Sequence, residues 1–100
     1  MAQFDKIDDI LHGRLRMGVM AYLSNAETAS FVELKETLGA TQGNLSVQIR
    51  KLEDAGYIEV DKRIVDRKTL TTCRITQVGR KAFSEYLAAI SDVLGLQPKS

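Results

Sequence analysis

The chain has 100 residues, of which 44% are hydrophobic and 27% charged, with a formal net charge of +1. That is the size and composition of one soluble globular domain, too small for a second core and too near neutral to be coated in positive charge. The lone Cys73 excludes an internal disulfide framework, no run approaches the roughly 18 apolar residues of a membrane span, and the N-terminus lacks a signal-peptide layout, so a cytoplasmic setting without membrane contact is expected.

Residues 4–23 carry helical periodicity. In 4–13, Ile7, Ile10 and Leu11 form an apolar side, and Asp5, Asp8 and Asp9 load the first turns with acid, where the helix dipole favours it. In 14–23, Leu15, Val19, Tyr22 and Leu23 share a face, and Gly13 marks the join. The polar run 24–27 predicts a turn, and 28–30 a short strand. Ser30 and Glu33 form a capping box that opens a helix over 31–38, with Phe31, Leu34 and Leu38 facing inward and Gly39 closing it.

The tight connection 39–41 leads into a second helix, 42–55, with Thr41 as N-cap and Gly56 as stop. Leu45, Ile49 and Leu52 make its apolar stripe. Gly43, Val47 and Arg50 point the opposite way at about 100° per residue, flanked by Asn44, Ser46 and Lys51. That outer face is small and hydrogen-bonding at its leading end and basic in its middle. Base edges in a major groove require the first property and phosphates the second. An ordinary solvated helix face has the same gross polarity. The local charge favours the DNA reading: residues 41–81 hold nine Lys/Arg against five Asp/Glu, whereas residues 1–40 hold four against six.

After Gly56 the period changes to two. Ile58 and Val60 alternate with Glu59 and Asp61, Ile64 resumes the apolar face, and Thr71, Cys73 and Ile75 share a side of a second run, so 57–75 is a hairpin with a polar tip over 66–69. Arg63, Arg67 and Lys68 would lie along phosphates or in a minor groove; the other reading is a solvated tip whose charge protects an edge strand. Thr76 caps a last helix over 77–94. Val78, Phe83, Leu87, Ile90 and Leu94, with Tyr86, Ala89 and Val93 beside them, make a wide apolar band. Its surplus points to a homodimer interface built from Ile7, Ile10, Leu11, Tyr86, Leu87, Ile90, Val93 and Leu94, or to packing of the first helix on the last within one chain.

Other chemistry is sparse. His12 is the only histidine, so no His/Cys cluster exists for a metal, and no cofactor is expected. Cys73 falls on the inward side of its strand and reads as a small buried hydrophobe rather than a redox switch. No Gly-rich phosphate loop or nucleophile motif occurs, so no enzyme is expected.

Helix, helix, helix, hairpin, helix is the order of a winged helix-turn-helix domain. Residues 43–60, GNLSVQIRKLEDAGYIEV, resemble the reading helix and first wing strand of MarR/ArsR-type transcriptional regulators, and residues 74–83, RITQVGRKAF, resemble their exit from the wing. The resemblance covers about residues 14–90. It implies a mainly α fold with a small β-hairpin (α+β): a three-helix core, a wing and a C-terminal dimerisation helix, in one domain over 1–100. It also implies that Gln42, Gly43, Asn44, Ser46, Val47 and Arg50 face a major groove, that Lys51 touches phosphate, and that Arg63, Arg67 and Lys68 serve the wing. Gln48 stands where many relatives carry His, and Thr69 stands near a position where many carry Pro.

The expected function is a homodimeric, sequence-specific repressor that binds a pseudo-palindromic site in double-stranded DNA. The alternatives are a winged-helix module that binds protein without DNA, and a regulator gated by an apolar small-molecule effector.

Overall fold

Each boundary in the fold has a local cause. The Ser30 hydroxyl accepts the Glu33 N–H at 3.0 Å and the Glu33 carboxylate accepts the Ser30 N–H at 3.4 Å, which is the reciprocal capping box. Thr41 accepts from the Asn44 N–H at 3.2 Å, and Thr76 from the Gly79 N–H at 2.9 Å. Gly39 and Gly56 follow their helices with φ of +61° and +81°, a region only glycine enters without steric cost.

In this computed structural model, which describes residues 7–95, the elements run α1 (Arg14–Ala26), β1 (Thr28–Ser30), α2 (Phe31–Leu38), α3 (Gln42–Asp54), β2 (Ile58–Val65), β3 (Lys68–Ile75) and α4 (Gln77–Val93). The sheet is antiparallel in the order β1-β3-β2. β1 pairs only with residues 72–74 of β3, whereas β2 and β3 pair from Ile58↔Ile75 to Val65↔Lys68. The lower half of the hairpin thus belongs to a three-stranded sheet and the upper half stands free as a wing. The fold is α+β and winged-helix, as the element order predicts.

The core lies where α1, α2, α3 and the base of the sheet meet. Val19, Met20, Leu23, Leu34, Leu45, Leu52, Ile58 and Cys73 are fully or almost fully buried there, joined by Phe83 and Tyr86 from α4. Burying Leu45, Ile49 and Leu52 contributes about 1.5–3 kcal/mol per side chain and fixes the rotation of α3 about its axis.

Three expectations are corrected. Residues 7–13 form turns, not a helix, and residues 4–6 lie outside the described region. An Asp8 carboxylate oxygen accepts from the N–H groups of Ile10 at 2.8 Å and Leu11 at 3.3 Å, so the side chain competes for donors that a helix would use. Residues 24–26 continue α1, because Ser24 and Asn25 return their side-chain donors to the carbonyls of Met20 and Ala21. Val78, placed in the apolar band, points to solvent.

Leu11 and Tyr86, expected at a dimer interface, are buried within the single chain. His12 Nδ1 lies 3.0 Å from the Tyr86 hydroxyl. Leu87 and Leu94 stay exposed, at 48% and 64%, and Ile7, Ile10, Ile90 and Val93 are partly covered. Between the N-terminal turns and the end of α4 lies an open hollow of about 380 Å³ lined by Ile7, Asp9, His12, Ile90, Val93 and Leu94.

The Tyr57 carbonyl joins three elements. It accepts the Thr76 N–H at 3.1 Å, while the Thr76 hydroxyl donates to the Gly56 carbonyl at 2.7 Å. The first turn of α4 packs so closely that a Cβ on Gly79 would lie 2.1 Å from the Tyr57 oxygen. The obstacle is backbone and cannot rotate away. Gly79→Ala is therefore expected to lower Tm by roughly 10 °C or more. Gly43→Ala, where nothing lies within 4 Å of an added Cβ, is expected to lower it not at all. Thermal unfolding of the two variants checks both.

Candidate nucleic-acid interface

With Leu45, Ile49 and Leu52 turned inward, α3 has only one way to face. Gln42, Gly43, Asn44, Ser46, Val47, Arg50 and Lys51 are all exposed. The leading turn carries nothing bulky, so backbone and short polar groups can approach a partner closely. Gln48 is half-buried beside α1: its Oε1 accepts from the Arg16 guanidinium, and its Nε2 donates to Asn44 Oδ1 at 3.1 Å.

The wing tip is tighter than the sequence suggested. Pairing continues to Val65↔Lys68, leaving a two-residue loop of Asp66 and Arg67 with φ of +51° and +65°. Two consecutive left-handed residues make the turn whose twist matches a hairpin, a turn that usually takes Asn-Gly or Asp-Gly. Arg67 occupies the position where glycine would cost least, so the chain holds a cation at its furthest projection against a conformational penalty of roughly 1 kcal/mol.

Between α3 and the wing runs a groove of about 720 Å³. Val47, Arg50 and Lys51 line it from the helix, Val60, Lys62, Thr69 and Thr71 from the wing. Lys62 was not among the expected site residues. Strand alternation identifies it, because it shares a face with Ile58 and Val60. Arg63 lies on the opposite face and pairs with Asp61 at 2.7 Å. Glu53 and Asp54 also line the groove beside Arg50 and Lys51 and close off its positive charge at the trailing end of α3.

Not every cation of this region is available to the groove. Arg74 and Arg80 each lie 3.7 Å from the Glu27 carboxylate, and Arg80 also donates to the Ser24 carbonyl at 3.3 Å. Arg50, Lys51, Lys62, Arg67 and Lys68 have no ion-pair partner among the described residues. Phosphates would have these five to contact.

Cys73 lies beneath the base of the wing and is fully buried. Burial, with Glu53 adding a smaller repulsion, pushes its thiol up to about 11. Among the described residues no group of His, Cys, Asp and Glu could hold a metal, and no helix is long and apolar enough to cross a membrane.

Two outcomes follow from this geometry. Arg67→Gly is expected to stabilise the hairpin by about 1 kcal/mol, seen as a rise in Tm. The folded Cys73 thiol keeps its proton above its ordinary value of 9.0, so its contribution to stability is complete below pH 9.0 and is lost as pH rises towards 11. Cys73→Ala, though less stable at neutral pH, should lose less stability between pH 9 and 11 than the parent in thermal unfolding.

A family model described as a winged helix DNA-binding domain matches residues 15–94. An uncharacterised protein of Methanocaldococcus jannaschii is 36% identical over 81 residues, covering 81% of this chain and 88% of that protein. Among solved structures, a transcriptional regulator homologue from Pyrococcus horikoshii superposes with a TM-score of 0.87 at 32% identity, covering 98% of this chain and 100% of that one. An ArsR family transcriptional regulator superposes with a TM-score of 0.64 at 25% identity, covering 97% and 95%. An exposed polar helix, a projecting cationic wing and this agreement over most of the chain converge: the chain belongs to the winged helix DNA-binding domain family and is a DNA-binding transcriptional regulator.

Proposed function

We propose that the protein is a homodimeric repressor that recognises a pseudo-palindromic site in double-stranded DNA. One α3 enters the major groove of each half-site, and the wing lies beside it. The observation that carries this reading is Arg67, a cation kept at the wing tip in a left-handed conformation that glycine would adopt freely. Gln42, Gly43, Asn44, Ser46, Val47 and Arg50 face the bases; Lys51, Lys62, Arg67 and Lys68 serve the backbone. Arg63, on the other face of the wing, serves a phosphate outside the groove on releasing Asp61, an exposed pair of small net stability.

The exposed Leu87 and Leu94, beside Ile7, Ile90 and Val93, support dimerisation through the end of α4 and the N-terminal turns. Such a dimer, bound across a promoter, represses by occlusion. A second reading, a regulator gated by an apolar effector, is favoured by the hollow of about 380 Å³ at the same place. A third, a protein-binding module without DNA, is favoured by Glu53 and Asp54 in the groove.

Selection of sheared genomic DNA by the purified protein at physiological salt, followed by sequencing, tests the proposal. The expected result is an enriched inverted repeat with half-site centres about 10 base pairs apart. On that site Arg67→Gly should bind more weakly, with a salt slope smaller by about one, whereas Arg50→Ala should lose affinity chiefly through one position of the site. Uniform retention would reduce the protein to a non-specific binder. No retention even at low salt would sink the DNA reading and favour the protein-binding module.

A further inference from the structure

The three side chains Arg16, Gln48 and Asn44 form a directed chain of hydrogen bonds from α1 to the exposed leading end of α3. Its direction is dictated by chemistry. A guanidinium has donors and no acceptor, so the Gln48 atom it meets must be the carbonyl oxygen. That orients the Gln48 amide and leaves its NH₂ to face Asn44, which must answer with its own carbonyl oxygen, at 3.1 Å. The Asn44 NH₂ then has no partner among the described residues, and Asn44 is exposed. Arg16 is itself held. Its Nε donates to the Ile10 carbonyl, and its guanidinium packs over Gly13 so closely that a Cβ there would lie 2.6 Å from it.

We propose that Arg16 is a positioning residue for base selection: through Gln48 it fixes Asn44 as a donor, and so biases the half-site toward guanine at the position Asn44 reads. A free asparagine amide matches adenine, giving a donor to N7 and an acceptor to the N6 amino group. Asn44 here has its oxygen engaged and offers donors outward. Guanine presents two adjacent acceptors, N7 and O6, on the same edge. This inference rests on the reading that α3 enters a major groove.

The test compares site preferences from a randomised duplex library, selected by the parent and by variants, each checked for folding by circular dichroism. The parent should enrich guanine at one half-site position, and Asn44→Ala should erase the preference there. Arg16→Met removes the donor while keeping the length. It should relax that position from guanine toward adenine, by roughly tenfold in their ratio, with other positions unchanged. Arg16→Lys, which retains a donor for Gln48, should restore guanine.

Gln48→Glu gives a second handle that leaves Arg16 in place. A carboxylate cannot donate to Asn44, so the Asn44 amide turns its NH₂ toward Glu and its oxygen outward. Preference should then move to a base presenting an amino group, adenine N6 or cytosine N4. Adenine selected by the parent, an Arg16→Met preference identical to the parent's, or an Arg16→Met loss spread evenly over all positions would each overturn the relay while leaving DNA recognition intact. No enrichment by the parent would overturn the relay together with the proposed function.

Discussion

The contact between Gly79 and the Tyr57 carbonyl is the constraint on which the arrangement of α3, the wing and α4 depends. Tyr57 leaves α3, begins the wing and receives the first turn of α4, so three directions are set within a few ångströms. The Tyr57 hydroxyl also donates to the Asp8 carboxylate, a bond that pushes the Tyr57 phenol up to about 12 and ties the N-terminal turns to the same point. Nothing at this junction is recognition chemistry. It decides where the recognition chemistry stands, because α3 can turn only with its buried stripe and the wing can leave only from Tyr57.

Charge follows the same logic of placement over quantity. The chain is almost neutral, and several basic residues of its second half are engaged away from the groove: Arg74 and Arg80 at Glu27, Arg63 at Asp61. Those pairs are solvent-exposed and add little stability. Their effect is on where positive charge remains unpaired, which is at Arg50 and Lys51 of α3, on Lys62 and at the wing tip.

What was legible in the sequence was what is local. Ser30 with Glu33, Thr41 and Thr76 act on backbone groups within one turn, so their identity and spacing suffice to place three helix starts. The stripe of Leu45, Ile49 and Leu52 likewise sets the outer face of α3 without reference to the rest of the chain. The misplaced parts depend on partners far away or on rarer local chemistry. Asp8 takes up backbone donors of residues 10 and 11 and meets a hydroxyl 49 positions later, and periodicity over 4–13 carries no trace of either. The tip reads as a four-residue loop because Asp-Arg lacks the glycine that marks a two-residue turn. Lys62 was within reach of strand alternation, whereas the bond from Arg16 to Gln48 spans 32 positions and needs the packing of α1 on α3.

The unbroken ladder of the wing makes it a lever. Eight register pairs run from Ile58↔Ile75 to Val65↔Lys68 with no bulge to absorb bending, and the turn beyond is as short as a hairpin permits. Beyond the last pair with β1, at Thr72, the free arm is roughly 14 Å long at about 3.4 Å per residue, so a tilt of about 10° at its base would carry the tip about 2 Å. That is the difference between a charge in contact with a phosphate and one separated from it by water. A methyl group's worth of displacement beneath the base of the wing, at Cys73, Ile75 or Gly79, is therefore magnified at Arg67. The buried floor of the wing is as much a part of its aim as the side chains on its tip.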